Sequence, residues 1–291
     1  MRALIVKAPA GRQTERHAIS TYRVCVISPP GYAHSYAFAE VAVLLKASLS
    51  DLGHACDIAV NSAAPDRTNI LVGYHLLNSF DGMQGCRYIV YQLEQLGPGA
   101  VELTGVMQKV LNGAESIWDY SSENILFLAE RGLEARLLPL GYHAALDRVD
   151  RGADKDIDVL FYGSLNSRRK AVLDALMPAL RVKALFGVYG SERDQWIARS
   201  KTVLNIHHYS ARIFEAVRIS YLLNNGAFVV SEESAVTPYP DVPLVFSPYD
   251  TLAGQCRYFL ERPGEMARAA AAARDAFRAA YPMVSLLAAV V

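Results

Sequence analysis

Small and cationic residues gather in the segment FYGSLNSRRK. A strand is expected to end at Gly163 and Ser164, and a helix to begin shortly afterwards. Glycine lets the backbone approach an anion, and a helix N-terminus favours negative charge. Arg168 and Arg169 would add guanidinium groups, whose paired donors fit phosphate oxygens. The segment predicts a diphosphate site, with an ordinary turn and solvated arginines as the alternative.

A second group of polar residues lies in KTVLNIHHYSARIFEAVRISYLLNNGAFVVSEES. A strand is expected to end at His207, and the next helix to carry Glu215 and Arg218, three residues apart on one face. A carboxylate at the carboxyl edge of a parallel sheet can accept both ribose hydroxyls. The following strand ends near Glu232, which adds a carboxylate at that edge. These four residues are candidate nucleotide ligands; for Glu215 and Arg218 an intrahelical ion pair is the alternative.

Two residues are candidates for a general base. His34 lies in a Pro-Pro-Gly loop after the first strand, and Glu94 ends an apolar strand, where a carboxylate is costly unless solvated or paired. Transfer of a group to a hydroxyl would need one of them to accept the proton. A helix-capping loop is the alternative for His34. Structural roles are favoured for Asp119, His75 and His143, which follow other strands.

Strands and helices alternate along the chain, which is typical of parallel βαβ units. The alternation runs through two blocks separated by a polar, Gly-containing stretch. We therefore expect an α/β fold with two Rossmann-like, doubly wound domains that face each other across a cleft. The predicted boundaries are 1–142 for the first domain, 143–155 for the linker and 156–291 for the second domain. Residues 1–20 are expected to be an irregular lead-in.

Composition argues against nucleic acid and metal as partners. The 291 residues contain 29 Lys+Arg and 29 Asp+Glu, so the basic excess of a general nucleic-acid-binding protein is missing. Asp156 and Asp158 begin a strand, on the edge of the sheet away from the loops that bind ligands. The side chains of His207 and His208, adjacent in a strand, would point to opposite faces. No metal site is predicted.

Cysteine use and hydropathy predict a cytoplasmic protein. The four cysteines are scattered without a CxxC pair, which suits a reducing compartment. The N-terminal segment is too weakly apolar for a signal peptide, and no run approaches the ~18 residues of a membrane helix. The C-terminal LLAAVV is short and is expected to dock on a core or on a partner. The oligomeric state is left open.

The order of these motifs resembles a known enzyme group. Gly-Ser followed by paired arginines, then Phe-Glu, then Gly-x-x-Val-Val-Ser-Glu is similar to the C-terminal half of GT-B glycosyltransferases. The similarity is greatest to the bacterial group 1 relatives that include spore-maturation-type proteins. It covers about residues 157–280, and the N-terminal half by architecture alone. The resemblance implies that Glu215 holds the ribose, and that Arg168 or Arg169, with Lys201 as a further candidate, holds the diphosphate.

The resemblance implies a nucleotide-sugar donor in the second domain and an acceptor in the first. We therefore expect a metal-independent glycosyltransferase without a bound cofactor, acting on a glycan, a lipid-linked or a protein acceptor. A nucleotide-sugar epimerase and a non-catalytic binding or assembly module are the alternatives. The sequence departs from the family pattern in two ways, which leave the nucleotide and the stereochemistry unassigned. The carboxylate pair E-x7-E is not evident, and the helix expected to carry Glu215 is longer than in the family pattern, ending at Asn224-Asn225-Gly226.

Overall fold

The first half of the chain forms a six-stranded parallel sheet. In the computed structural model, which describes residues 20–79 and 81–291, the strand order is β2-β1-β3-β4-β5-β6. The predicted lead-in lies outside the described residues except for Ser20. The strands are β1 (Thr21–Val26), β2 (Ala55–Val60), β3 (Thr68–Val72), β4 (Tyr88–Gln92), β5 (Ser116–Asp119) and β6 (Arg136–Leu137). The helices are α1 (Ala39–Asp51), α2 (Gly105–Asn112) and α3 (Ser122–Ala129).

The second half forms a five-stranded parallel sheet with the order β11-β10-β9-β7-β8. Its strands are β7 (Ile157–Tyr162), β8 (Val182–Leu185), β9 (Ser200–Asn205), β10 (Val229–Glu232) and β11 (Val245–Ser247). The helices are α4 (Ser167–Leu176), α5 (Gly190–Ala198), α6 (Ala216–Asn224), α7 (Leu252–Leu260), α8 (Pro263–Ala280) and α9 (Met283–Ala288). The predicted two-sheet α/β fold is confirmed.

The central strands β3 and β4 are buried at every position except Thr68, and each contains an apolar run, at 70–72 and 88–91. Helices cover both faces of such a parallel sheet, so a strand cannot alternate between apolar and polar residues. In both sheets the first strand in the chain (β1 or β7) lies inside the sheet, and the later strands run outward in both directions. Between oppositely wound strands the connecting loops separate, which leaves a crevice at the carboxyl ends of the strands.

The connection between the two sheets is held by the end of α6. The Asn224 side chain accepts a hydrogen bond from the His143 backbone (2.9 Å), and Asn225 accepts two, from the backbones of Arg148 and Val149 (2.8 and 2.9 Å). The longer helix end noted in the sequence therefore has a structural role: its two asparagines bind the predicted linker.

The C-terminal helices return to the first half of the molecule. Tyr142 pairs with Pro282 in an isolated parallel bridge, and α9 packs against α1. A continuous hydrophobic core therefore joins the two sheets through α1, α6 and the C-terminal helices. Among residues 20–79 and 81–291, no helix is long and apolar enough to cross a membrane. The cytoplasmic location stays a prediction.

Candidate active site

A cavity of about 310 Å³ lies between the carboxyl ends of the two sheets. Its walls contain residues from the loops after β1, β3, β4 and β5 of the first sheet and after β7, β8 and β9 of the second. We call this cavity the cleft. Parallel sheets bind ligands at this edge. The residues proposed from sequence that line it are His34, Glu94, Gly163, Ser164, Arg169, Glu215 and Arg218.

Glu215 is the N-cap residue of α6 and presents its carboxylate to the cleft. The helix begins at Ala216, so Glu215 precedes the helix instead of lying within it as expected. Its Oε1 accepts a hydrogen bond from Arg169 (3.1 Å), and its Oε2 lies 3.6 Å from the Nδ1 of His207. Among the described residues Oε2 has no hydrogen-bond partner. One carboxylate oxygen is therefore fixed by Arg169, and the other lies near His207 without a hydrogen bond.

Arg169 holds Glu215 in place. Its side chain is 3% exposed and donates hydrogen bonds to the carbonyl oxygens of Ile206 and Ser164 as well as to Glu215. Burial, and to a smaller extent the neighbouring Arg218, lowers the pKa of Arg169 to about 10. The side chain stays charged at neutral pH. Most of its donors are occupied within the protein, which makes it a positioning residue.

Arg218 has donors to spare. Its Nη1 donates to Asn205 (2.7 Å), and the guanidinium lies 5.1 Å from the ring centroid of Tyr162, while Nε is unpartnered among the described residues. Gly163 makes room for it: a Cβ there would lie 2.7 Å from Nη2, and the φ of +134° is one that other residues rarely adopt. The side chain can therefore donate to an anion at this glycine.

Two predicted nucleotide ligands pair with each other instead. Arg168 forms a two-pronged ion pair with Glu232 and lies 3.9 Å over the ring of Tyr249. The Glu232 side chain is 1% exposed and also accepts the backbone N–H of His207 (3.0 Å). Neither Arg168 nor Glu232 lines the cleft. Because successive residues on a helix differ in direction by about 100°, only one of two adjacent arginines faces the cleft.

Lys201 and His207 also lie outside the cleft. Lys201 is the second residue of β9, so it stands at the amino edge of the sheet, where it forms an ion pair with Asp158 (2.7 Å). His207 is completely buried and lies behind Glu215, with its Nε2 3.1 Å from the Glu233 carbonyl oxygen. Lys201 therefore lies away from the cleft, and His207 lies where it supports Glu215; their roles as nucleotide ligands stay predictions.

The first sheet contributes a carboxylate with an unusual pKa. Glu94 follows β4 and its Oε1 lies 3.5 Å from the Nε2 of His75. Burial raises the pKa of Glu94 to about 7 and lowers the pKa of His75 to about 4. The Glu94 backbone is held by the side chains of Gln92 and Asn124. A carboxylate that titrates near neutral pH is suited to accept a proton.

Asp119 has the structural role expected from sequence. It is fully buried and accepts hydrogen bonds from Gln92 (3.0 Å), Asn124 (3.1 Å) and the Ser121 backbone (2.8 Å). These are the residues that hold the loop of Glu94 and the start of α3. Asp119 therefore supports the candidate base without lining the cleft.

His34 connects the two halves at the rim of the cleft. Its Nδ1 lies 2.6 Å from the hydroxyl of Tyr189, and its ring packs edge-on against Phe186 at 5.1 Å. Both partners lie in the connection from β8 to α5. One imidazole nitrogen is therefore engaged with the opposite half of the molecule, which favours a role for His34 in closing the cleft.

Sequence reasoning missed a polar cluster deeper in the cleft. Glu40, Arg193, Tyr221 and Tyr162 line it, and Asp194 pairs with Arg193. The one available signal was Glu40, a charged residue within the apolar run AFAEVAVLL.

Among residues 20–79 and 81–291, no three His, Cys, Asp or Glu side chains form a group that could hold a metal ion. Independence from metal stays a prediction.

The second half of the chain matches a known protein family. Residues 143–290 match the glycosyl transferase-like family. Uncharacterized protein L140 of Acanthamoeba polyphaga mimivirus is 29% identical over 156 residues, which cover 50% of this chain and 51% of that protein. Uncharacterized protein L137 of the same virus is 30% identical over 156 residues, or 50% of this chain and 21% of that protein. The chain therefore spans about half the length of L140 and a smaller part of L137. Both matches are viral proteins, and the bacterial source expected from sequence stays a prediction.

Solved structures show the same fold at low sequence identity. HepE of Anabaena, in complex with UDP and glucose, has a TM-score of 0.61 and 13% identity over 94% of this chain and 98% of that one. AviGT4, a glycosyltransferase of avilamycin A biosynthesis, has a TM-score of 0.56 and 14% identity over 93% and 95%. The fold is that of the GT-B glycosyltransferases, and the matched half places this chain in the glycosyl transferase-like family.

Proposed function

We propose that the protein transfers a sugar from a nucleoside diphosphate sugar to an acceptor hydroxyl in the cleft. The observation that supports this most directly is that Glu215 and Arg218 both line the cleft, while Oε2 of Glu215 and Nε of Arg218 have no hydrogen-bond partner among the described residues. Glu215 would accept a ribose hydroxyl, and Arg218 would donate to the diphosphate at Gly163. An acceptor and a donor so placed fit the two polar parts of a nucleotide.

Transfer needs charge stabilisation on one wall and a base on the other. As the bond between sugar and diphosphate breaks, negative charge develops on the phosphate oxygens, where Arg218 and the N-terminus of α4 stabilise it. Glu94, on the opposite wall, accepts the proton of the acceptor hydroxyl. We prefer Glu94 to His34 because the His34 Nδ1 is engaged by Tyr189, whereas the pKa of Glu94 is about 7. No metal ion takes part in this scheme, so transfer should persist in EDTA.

UDP is the first nucleotide to test, because HepE was crystallised with UDP and with UDP-glucose. The full chain would be titrated with UDP and, in parallel, with GDP, ADP, TDP and CMP, with thermal unfolding as the readout. At a hundredfold excess over its dissociation constant, a ligand that binds only the folded state adds about 2.7 kcal/mol of stability. One nucleotide should raise the melting temperature.

Glu215→Gln should reduce that shift, because the neutral amide is a poorer acceptor for a ribose hydroxyl. The control is Glu134→Gln, an exposed glutamate outside the cleft that should leave the shift unchanged. Absence of a shift with all five nucleotides would contradict a nucleotide site in the cleft. Product analysis then separates the alternatives: an epimerase alters the donor sugar without an acceptor, and a binding module gives a shift without turnover.

A further inference from the structure

His75 and Glu94 come together from adjacent strands. Immediately after β3, Gly73 takes a left-handed conformation (φ +81°), and a Cβ there would lie 3.0 Å from the Phe38 ring and 3.3 Å from the Ile27 carbonyl oxygen. This tight turn directs the next residues towards the cleft. The His75 side chain, 14% exposed, packs edge-on against Phe38, and its Nε2 lies 3.5 Å from the Glu94 Oε1.

Four tyrosine hydroxyls also lie near Glu94. The charge of Glu94 contributes to a raised pKa of four tyrosines in the loops after β1, β3, β5 and β9: Tyr32, Tyr74, Tyr120 and Tyr209. Asp119 lies behind the loop, where Gln92 bridges it to the Glu94 backbone. Among the described residues, His75 is the one basic side chain within ion-pair distance of Glu94.

We propose that neutral His75 is a positioning residue for the base, donating its Nε2 hydrogen to Oε1 of Glu94 so that Oε2 is presented to the acceptor hydroxyl. The inference rests on the proposed function. The acceptor O–H bond breaks and its proton passes to Oε2 of Glu94. The acceptor oxygen bonds to the anomeric carbon, and the electron pair of the cleaved C–O bond leaves with the diphosphate. His75 keeps its proton throughout.

The sign of the effect on Glu94 follows from the hydrogen bond. A donor stabilises the charged carboxylate and so lowers its pKa, against the effect of burial. Loss of the donor should therefore raise the pKa of Glu94 and move the acid limb of the kcat/KM profile to higher pH. A distance of 3.5 Å without substrate is compatible with this role, because catalytic hydrogen bonds often shorten in the substrate complex.

NMR on the full chain tests the inference without any substrate. Labelled histidine nitrogens identify the His75 tautomer, and labelled glutamate carboxyl carbons, assigned with Glu94→Gln, give the pKa of Glu94. We expect the Nε2–H tautomer at pH 7. In His75→Phe the Glu94 pKa should rise by about one unit, and in His75→Asn, which retains an N–H donor, by a few tenths at most.

An Nδ1–H tautomer, a cationic His75 at pH 7 or the same Glu94 pKa in all three proteins would overturn the inference. If His75→Phe does not fold, the His75 tautomer in the wild-type protein still tests whether Nε2 donates to Glu94. Where transfer is measured, the acid limb of kcat/KM should shift in His75→Phe and return in His75→Asn. The protein could show the expected His75 tautomer and Glu94 pKa shift and yet bind no nucleotide. That result would reject the proposed function, while the hydrogen bond between His75 and Glu94 would stand.

Discussion

Arg193 and Glu40 form a buried ion pair across the cleft. The Arg193 Nη2 lies 3.0 Å from the Glu40 Oε1, and the two side chains are 7% and 8% exposed. Glu40 belongs to α1 in the first half and Arg193 to α5 in the second, 153 residues apart in sequence. Arg193 also pairs with Asp194 (2.8 Å), whose other oxygen accepts a hydrogen bond from Tyr221 (2.9 Å). One guanidinium therefore compensates two carboxylates.

This arrangement predicts unequal costs for removing the two partners. Arg193→Met should lower the free energy of unfolding by about 3–5 kcal/mol, because it leaves two buried carboxylates without a cation. Glu40→Gln should cost about 1–2 kcal/mol, since Arg193 keeps Asp194. Urea unfolding measures both, and the double variant should cost less than the sum of the two. A double variant whose cost equals the sum of the two single costs would show that the pair across the cleft does not couple the halves.

Substitutions of Arg169 and Arg218 should have different effects, the first mainly on the stability of the fold and the second mainly on nucleotide binding. Arg169→Met removes a cation with 3% exposure and four hydrogen bonds, and should cost about 2–4 kcal/mol of stability. Arg218→Met removes one hydrogen bond and should lower the free energy of unfolding by about 1 kcal/mol. It should, however, weaken binding of the nucleotide that raises the melting temperature by about tenfold or more. Thermal unfolding and nucleotide titration measure the two effects. Unchanged affinity in Arg218→Met would exclude a diphosphate contact.

Gly163→Ala should disturb the site through one methyl group. The new Cβ would lie 2.7 Å from Arg218 Nη2, at a backbone φ of +134°. We expect a loss of about 1–3 kcal/mol in stability, together with weaker nucleotide binding. Gly105→Ala is the matched control: the first residue of α2 has open space around the added methyl and should tolerate it. Nucleotide affinity equal in both variants would contradict the close approach at Gly163.

Glu94→Gln should stabilise the protein at alkaline pH while abolishing transfer. The folded pKa of about 7 exceeds the ordinary value of 4.5, so the contribution of Glu94 to stability is complete below about pH 4.5 and is lost as pH rises through 7. The uncharged variant avoids that loss and should be more stable than wild type by up to about 3 kcal/mol at pH 8.

The measurement is thermal unfolding from pH 4 to pH 8, with Glu134→Gln as the control that should follow the wild-type curve. The difference between Glu94→Gln and wild type should vanish near pH 4. A constant difference across the range would mean that Glu94 titrates in the folded protein at its ordinary pKa.

Local patterns were sufficient for the secondary structure and the two-sheet fold. The turn at Gly163, the strand before it and α4 after it follow from short-range preferences that need no distant partner. Because parallel strands present their carboxyl ends at one edge, the same patterns also identified the loops that carry Glu94 and Glu215. The start of α6 was misjudged, since apolar periodicity continues through Ile213 and Phe214, which are buried before the helix begins.

The pairing of charges was decided by the tertiary structure alone. Arg168 and Arg169 are adjacent and chemically identical, yet one binds Glu232 outside the cleft and the other fixes Glu215 within it. The sequence by itself determined which residue types reach the cleft edge, because strand ends are set locally. Which of them remain unpaired for a ligand depends on charge compensation between distant segments, and only the packed fold brings those segments together.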